Sequence, residues 1–341
     1  MFKALIFGDP HLSSRNISSR KDDYPETCLE KLTFIMKTAI TNKVNCVIMP
    51  GDLYHHKEES MISRALDASI FTFIETLAKY HIDFIGVPGN HDMLFHNPDI
   101  SKRPIGILHR ANPTFYLVNE EPKIYEVKNG LSSFKVGISG TEFVFNGDKG
   151  VIANRLQYFP ERLPVDYQIH VTHGSQIPFA TSGDFKFMDF TSSEDIAAQN
   201  PAWNLNVNGH IHWVGEENLL LSFGKKHILN PGSLTRGSLK MENLKRGIFC
   251  FILTVQSVNG DIIPTFEKIA IPHRPAEEIF DVNEYLEGKV KDAKILEFID
   301  QLKDCSLSTE SSNSNIEKLI EEFNAPLEVK EKAKVFLNRL S

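Results

Sequence analysis

The sequence predicts a layered α/β protein with buried strands, amphipathic helices and functional residues placed just beyond the strands. Three observations indicate this class: short apolar runs recur along the chain, Gly, Asp, Asn or His follows each run at once, and intervening segments show helical periodicity. The predicted strands are Ala4–Phe7, Val44–Met49, Phe84–Val87, Lys135–Ser139, Gln168–Thr172 and Leu205–Asn208. We therefore expect the chemistry to gather in the loops that follow these strands.

Two intervening segments, Glu30–Ile40 and Ser63–Tyr80, carry apolar residues at the spacing of one helix face. We expect each to form a helix that covers a sheet. Further along, Ile248–Val255 and Ile262–Ile271 flank the turn residues Asn259-Gly260-Asp261. This pattern predicts a β-hairpin.

The chain is predicted to divide into four parts. Residues 1–245 form the main catalytic domain, 246–305 a small capping region, 306–315 a Ser/Thr/Asn-rich linker, and 316–341 a helical hairpin. The hairpin has two apolar stripes, formed by Ile316, Leu319, Ile320 and Phe323 and by Val329, Ala333, Phe336, Leu337 and Leu340. Helices this short are marginal alone in water, so they must dock on a partner or on the chain's own core.

Composition and charge narrow the class of protein. With 341 residues the chain suits one large domain and a smaller one, and its four separated cysteines predict reduced thiols in a cytoplasmic protein. We find no signal-peptide pattern and no long apolar segment, so no membrane association is expected. The formal net charge of −7 argues against an autonomous, nonspecific DNA-binding module. It leaves nucleic acid open as a substrate, since bound cations or a partner subunit can supply phosphate contacts.

Five short motifs rich in metal-ligating side chains follow the predicted strands in order. They are Asp9-Pro10-His11, Gly51-Asp52, Gly89-Asn90-His91-Asp92, Thr172-His173-Gly174 and Gly209-His210-Ile211-His212. Each motif alone has a structural explanation as a cap or turn, but a structural reading does not account for all five in sequence. Together they predict a site for two cations about 3.5–4 Å apart, with the Asp52 carboxylate as the bridge.

The five motifs resemble those of the calcineurin-like metallophosphoesterase superfamily over about the first 240 residues. The resemblance implies a β-sheet sandwich flanked by helices and two divalent cations, with Mn²⁺ favoured for a nuclease. It implies a first cation on Asp9, His11, Asp52 and His212, and a second on Asp52, Asn90, His173 and His210. It also makes His91 the acid or transition-state stabiliser beside the scissile phosphate, with Asp92 orienting it. Without a thiolate ligand, Fe and Zn²⁺ also remain chemically reasonable.

Narrower features resemble the DNA double-strand-break repair nucleases of the SbcD and Mre-eleven type. Residues 51–55 are similar to their Gly-Asp-Leu-Phe-His element, so His55 either orients substrate phosphate or is a solvated loop histidine. Residues 230–236 are similar to a Pro-Gly-Ser-x-x-Arg element, which makes Arg236 a phosphate contact or part of a structural ion pair. One departure is Ser13, which stands where the first family motif usually has glycine. The aromatic residues of 175–203, Trp203 among them, either face DNA or pack a core.

This resemblance implies a metal-dependent DNA exo/endonuclease acting in repair, recombination or end processing. Its expected partners are DNA and an SMC-like ATPase of the SbcC or Rad-fifty type, which the C-terminal hairpin would bind, in a heterotetramer built on a nuclease homodimer. A compact bacteriophage version, working in the host cytoplasm, is one form of this hypothesis. The alternatives are a phosphodiesterase or phosphatase acting on a small molecule or phosphoprotein, and a noncatalytic scaffold. A scaffold is expected to have lost ligands, whereas all seven are present.

Overall fold

The computed structural model describes residues 1–17, 20–94, 97, 99–129, 132–145, 157–178, 190–282 and 330–331. The strands are β1 Phe2–Phe7, β2 Cys46–Met49, β3 Asp83–Gly86, β4 Phe115–Leu117, β5 Lys123–Asn129, β6 Ser132–Thr141, β7 Tyr167–Gly174, β8 Gln176–Ile177, β9 Thr191–Ser192, β10 Leu205–His210, β11 Leu220–Phe223, β12 Lys226–Leu229, β13 Phe249–Val258 and β14 Asp261–Ala270. The helices are α1 Tyr24–Asn42, α2 Arg64–Lys79, α3 Pro104–Ala111, α4 Ser193–Ala198, α5 Met241–Lys245 and α6 Ala276–Ile279, with 3₁₀ turns at Glu59–Met61 and Glu216–Asn218.

Two six-stranded sheets form the framework of residues 1–279. The first has the order β14-β13-β1-β2-β3-β4, in which β1 to β4 run parallel and β13 pairs antiparallel with β1. The second has the order β11-β12-β10-β7-β6-β5, with a parallel centre formed by β12, β10, β7 and β6. The predicted layered α/β fold is confirmed, because helices and two multi-stranded sheets make up these layers.

Strand β1 contributes alternate side chains to two different hydrophobic cores, one on each face of its sheet. Along β1, Ala4 and Ile6 belong to the core shared with the second sheet, where Val171 and Val207 also lie. The alternate residues of β1, such as Leu5, belong to a core that includes the buried residues of α1 and α2. The two-residue period of a strand thus separates the inter-sheet layer from the helical layer.

The two predicted helices are confirmed, and local sequence explains where they begin. The Asp23 carboxylate caps α1 by accepting a hydrogen bond from the Glu26 amide at 2.9 Å, and Ser63 caps α2 in the same way. Side-chain caps satisfy amides that the first helical turn leaves without partners. Helix α1 ends at Lys43, whose backbone is left-handed.

All six predicted strands and the hairpin are present. At the hairpin turn, Asn259 and Gly260 both have positive φ, at 53° and 91°, as a two-residue type I′ turn requires. Its first strand lies antiparallel beside β1, so the hairpin extends the first sheet. The proposed boundaries at residues 245, 305 and 315 stay predictions.

The predicted linker and helical hairpin belong to the C-terminal part of the chain. Residues 306–315 lie outside the described residues, and so does residue range 316–341 apart from Lys330 and Glu331.

Throughout the described ranges, no helix is both long and apolar enough to cross a membrane. Cys28, Cys46 and Cys250 are buried free thiols, in agreement with the expectation of unpaired cysteines.

Candidate metal centre

The topology brings the five motifs to one edge of the two sheets. Asp9, Asp52 and Asn90 lie just beyond the carboxyl ends of the parallel strands β1, β2 and β3. In the second sheet, β7 and β10 are parallel with His173 opposite Gly209, which places the neighbouring His210 close to His173. The expectation that polar residues gather beyond the strand ends is therefore met.

Four of the predicted ligands form one tight group. Single ligand atoms from Asp9, His11, Asp52 and His212 all lie within 4.8 Å of one another. His11 Nε2 lies 2.8 Å from His212 Nε2 and 3.4 Å from Asp52 Oδ2, and His212 Nε2 lies 3.8 Å from Asp9 Oδ2. These nitrogens and oxygens converge as a mixed donor set for one divalent cation.

The remaining predicted ligands form a second group that shares Asp52 with the first. Asn90 Oδ1 lies 3.1 Å from His173 Nε2 and 2.9 Å from His210 Nδ1. His173 Nε2 in turn lies 3.3 Å from Asp52 Oδ2, the same oxygen that faces His11. The Asp52 carboxylate therefore lies between the two groups, which is the position of a bridging ligand.

An unpartnered buried carboxylate oxygen supports a cation at this site. The side chains of Asp9 and Asp52 are both buried, and Asp9 Oδ1 has no hydrogen-bond partner. An unsatisfied buried carboxylate oxygen is costly, and a cation satisfies it. Burial, with a further contribution from Asp52, raises the pKa of Asp9 to about 7. Two carboxylates in one buried site thus call for positive charge beside them.

The surroundings shift the pKa values of the predicted histidine ligands in different directions. Burial and the nearby His173 lower the pKa of His210 to about 4, and burial holds the pKa of His11 well below its usual range. Both rings are then neutral, as ligation requires. For His173, burial is outweighed by the carboxylates of Asp52 and Asp9, which raise its pKa to about 9. A cation bound there would satisfy the same carboxylates that favour a proton on His173.

Backbone contacts orient the His173 ring. Its Nδ1–H donates to the carbonyl of Pro50 at 2.7 Å, which leaves Nε2 directed at Asp52 and Asn90. Second contacts of this kind fix the tautomer and the ring orientation of a metal-binding histidine. The Pro50–Gly51 loop therefore positions a ligand from the other sheet.

Several ligands occupy strained backbone. His11, Asp52 and His210 have positive φ values of 45°, 52° and 76°, a region that costs non-glycine residues roughly 1–3 kcal/mol. Hydrogen bonds to neighbouring loops support two of these turns, since the His11 amide donates to the Asp52 carbonyl and the His210 amide donates to Asp9 Oδ2. The close approach of backbones explains a glycine in the last motif. At Gly209 a Cβ atom would collide with Asp9 Oδ1, with the Pro50 carbonyl oxygen and with the His173 ring. Three of the seven non-glycine residues with positive φ in the described part of the chain are thus predicted ligands.

His91 lies beside this centre without joining either ligand group. Its backbone amide donates to Asp52 Oδ1 at 2.7 Å, and its ring stacks edge-on to the His11 ring at 4.7 Å. Its Nδ1–H donates to the His55 carbonyl at 2.5 Å, since a carbonyl can only accept. This bond holds the ring through Nδ1 and does not involve Nε2.

Asp92 makes its contacts with backbone. Its carboxylate accepts hydrogen bonds from the amides of Gly89, Leu53 and Tyr54, at 2.9, 3.2 and 3.3 Å. It joins the loop that carries His91 to the loop that carries Asp52. Asp92 can therefore orient the His91 ring only through the backbone. The hydrogen bond to the ring itself comes from the carbonyl of His55.

The other residues singled out from sequence have distinct positions. The ring of His55 lies 5.7 Å from that of His11 and 5.9 Å from that of His91, so it borders the centre. The Arg236 guanidinium donates to the backbone carbonyls of Asn243 and Arg274 and lines a cavity without any of the seven predicted ligands. Trp203 is fully buried in a core cluster, while residues 179–189 lie outside the described residues.

Two contributors to the site were missed in the sequence. The Phe143 ring lies 5.4 Å from that of His210 and 6.2 Å from that of His173, and so covers the second ligand group. The hydroxyl of Tyr24, at the start of α1, donates to the His11 carbonyl at 3.0 Å and thereby supports the turn that carries this ligand. Neither residue belongs to a motif, and only the fold brings them to the centre.

Comparison with protein-family models identifies the family of this chain. Residues 2–214 match the model of the calcineurin-like phosphoesterase family. The match spans more than half of the chain and contains all seven predicted ligands. The chain belongs to the calcineurin-like phosphoesterase family. It is a metal-dependent phosphoester hydrolase.

Two solved structures are similar to this chain at low sequence identity. A dimetal phosphatase from Danio rerio is 11% identical, with a TM-score of 0.43, and the match covers 80% of this chain and 99% of that one. Vacuolar protein sorting 29 from Cryptosporidium parvum is 13% identical, with a TM-score of 0.29, over 79% of this chain and 98% of that one. No curated protein sequence matches.

The arrangement defines what this chain contributes to hydrolysis. When bound, a pair of divalent cations supplies Lewis-acid stabilisation of phosphate charge and a nucleophilic water at neutral pH. Asp52, Asn90 and the predicted histidine ligands would hold those cations. His91 places a ring nitrogen beside the centre, and the backbone contacts of Asp92 join the loops that carry Asp52 and His91.

Proposed function

We propose that the protein is a DNA nuclease that hydrolyses phosphodiester bonds with two Mn²⁺ ions. The observation that carries this proposal is the position of His91, whose Nδ1 is tied to the His55 carbonyl and whose Nε2 remains for chemistry. Cleavage of a DNA phosphodiester expels an alkoxide, which is a poor leaving group until it is protonated. A fixed histidine ring that carries a proton on both nitrogens supplies that proton from Nε2 and keeps the Nδ1 proton in its bond to the His55 carbonyl.

The proposal assigns the remaining residues by their contacts. The site offers carboxylate, imidazole and carboxamide donors without a thiolate, a set that Mn²⁺ accepts. His55 borders the rings of both His11 and His91, where it can contact a substrate phosphate as the nuclease resemblance implies. Burial and the neighbouring His56 lower the pKa of His55 to about 4, so it acts there as a neutral hydrogen-bonding group.

The same proposal includes a partner. A chain of net charge −7 has no general attraction for duplex DNA, so tight binding calls for a basic partner or for the cations of the site. The two apolar stripes of 316–341 offer anchors at helical spacing for an SMC-like ATPase, in a heterotetramer with a nuclease homodimer. The proposed location is the cytoplasm, which for a bacteriophage protein is the cytoplasm of the host cell.

A panel of substrates tests the proposal. We would incubate the full chain and Mn²⁺ with linear duplex DNA, single-stranded DNA, a nitrophenyl phosphodiester and a nitrophenyl phosphomonoester. His91→Asn removes the proposed acid, and His81→Asn is the matched control because His81 is exposed and has the left-handed backbone that asparagine tolerates.

We expect the wild type and His81→Asn to cleave DNA and His91→Asn to lose that activity while retaining its cations. Hydrolysis of the monoester or the small diester without any cleavage of DNA would contradict the nuclease proposal. That result would favour the alternative of a phosphatase or phosphodiesterase acting on a small molecule or phosphoprotein. It would leave the metal centre itself intact.

A further inference from the structure

A cavity of about 240 Å³ lies within residues 1–279, apart from the candidate metal centre. Its lining comes from residues 20–22, from α1, from Arg236 and Ile248, and from residues 272–279 after β14. None of the seven predicted metal ligands, nor His91, contributes to this lining. The cavity is therefore built by residues that the hydrolytic centre does not use.

The charged residues of this cavity are predominantly basic. Its lining has four basic side chains, Arg20, Lys31, Arg236 and Arg274, against two carboxylates, Asp22 and Glu30. Both carboxylates already have partners. Asp22 pairs with Arg20 through two bonds of 2.6 and 2.7 Å, and Glu30 lies 3.8 Å from Arg274 at the exposed rim. Neither Lys31 nor Arg236 forms an ion pair with these two carboxylates.

Lys31 is the more unusual of these two residues. It is only 4% exposed, and its Nζ is buried without a hydrogen-bond partner. Lysine ammonium groups are almost never fully buried unless they are paired. Burial, with repulsion from Arg236, Arg246 and Arg20, lowers the pKa of Lys31 to about 7. The protonated Lys31 ammonium thus offers three hydrogen-bond donors for which the described residues provide no acceptor.

Arg236 adds a second donor group from another element. Its guanidinium donates to the carbonyls of Asn243 and Arg274, and it makes no ion pair among the residues that the structure describes. Arg236 and Lys31 line the same cavity from different segments of the chain. Planar guanidinium and compact ammonium groups are the usual pair for recognition of a phosphate oxygen.

We propose that this cavity binds an oxyanion, a phosphate group that is free or carried by a small ligand, through Lys31 and Arg236. The cavity is several times the roughly 30 Å³ that one water occupies in the liquid, so it has room for such a group. The anion places a negative charge between cations that otherwise repel one another. This site operates independently of the substrate that the metal centre hydrolyses.

The test compares Lys31→Met with Lys37→Met in the metal-loaded full chain. Methionine keeps the length of the side chain and removes the ammonium, while Lys37 is an exposed residue on the same helix. Binding of inorganic phosphate is measured by equilibrium dialysis with radiolabelled phosphate. Inhibition of hydrolysis by phosphate, in the same samples, reports binding at the metal centre separately.

We expect the wild type and Lys37→Met to bind one phosphate more than Lys31→Met, in which binding at this cavity weakens at least tenfold. Inhibition of hydrolysis should be equal in all three proteins. Equal phosphate binding by Lys31→Met and wild type would overturn the proposal. A nucleoside monophosphate forms the second arm: if it displaces the extra phosphate the ligand is a carried phosphate group, and if it does not the ligand is the free ion.

Thermal melting without phosphate decides whether the lysine has a structural role instead. Because its ammonium is buried and unpaired, Lys31→Met should melt at or above the wild-type temperature. Melting far below wild type would mean that Lys31 stabilises the folded chain through a contact of its own. That outcome would also overturn the oxyanion site.

Discussion

Replacing His91 with asparagine separates proton transfer from metal binding. The His91 backbone amide, which donates to Asp52 Oδ1 at 2.7 Å, is kept in the variant, so the bridging carboxylate keeps that contact. The ring and its bond to the His55 carbonyl are lost. The variant should therefore bind two cations like the wild type and be slower only in the chemical step.

The size of the effect follows from the role of the ring. A positioned acid contributes about 10²–10⁴ in rate, equivalent to about 2.7–5.4 kcal/mol of barrier. The full loss is expected with a DNA phosphodiester, whose alkoxide needs a proton to depart. With a nitrophenyl phosphodiester the leaving phenolate needs little help, so the loss should be much smaller.

The assay measures kcat for both substrates together with the metal content of each protein, with His81→Asn as control. A loss of about 100-fold or more on DNA, with a smaller loss on the nitrophenyl ester and two bound cations, is the predicted result. Equal losses on the two substrates would show that His91 stabilises the transition state without donating a proton. Loss of the cations would refute the reasoning, because it would make His91 a ligand.

Three further predictions concern other parts of the chain. Gly209→Ala introduces a methyl group against Asp9 and the His173 ring, so it should destabilise the protein by about 1–3 kcal/mol in urea unfolding and weaken metal binding; unchanged stability would contradict this packing. Burial lowers the pKa of Lys31 from 10.5 to about 7, so between these pH values the unfolded chain binds one proton more than the folded chain. The free energy of unfolding should then rise with pH by about 1.4 kcal/mol per unit above pH 7, and Lys31→Met, unlike Lys37→Met, should abolish that slope. Deleting residues from Asn315 onward should leave hydrolysis of a small phosphodiester and both cations unchanged while abolishing binding to an ATPase partner; a large drop in melting temperature without partner would assign the two stripes to the chain's own core.

Much of the fold and the ligand set is readable from sequence because both depend on local patterns. Strands such as β2 are continuous apolar runs ended by Gly51-Asp52, and parallel strands necessarily bring such ends to one edge. The hairpin is readable from Asn259-Gly260. Its place beside β1 is not, because strand pairing over so long a separation leaves no local signal.

The parts that sequence reasoning missed depend on contacts between distant segments. Phe143 covers the rings of His173 and His210 only because β6 runs parallel to β7. Lys31 looks like one more charged residue of an amphipathic helix, and its burial is visible only once the segment after β14 packs over α1. For Asp92, the contact with three backbone amides could not be anticipated from its place in a motif.

The central claim is that one carboxylate, Asp52, holds two cations together. Counting Mn²⁺ per chain by mass spectrometry after dialysis, in the wild type, in Asp52→Asn and in the exposed control Asp261→Asn, tests it most directly. The account predicts two ions per chain and full turnover for the wild type and Asp261→Asn, and loss of both ions and of turnover in a folded Asp52→Asn protein. Two ions and normal turnover in Asp52→Asn would contradict it.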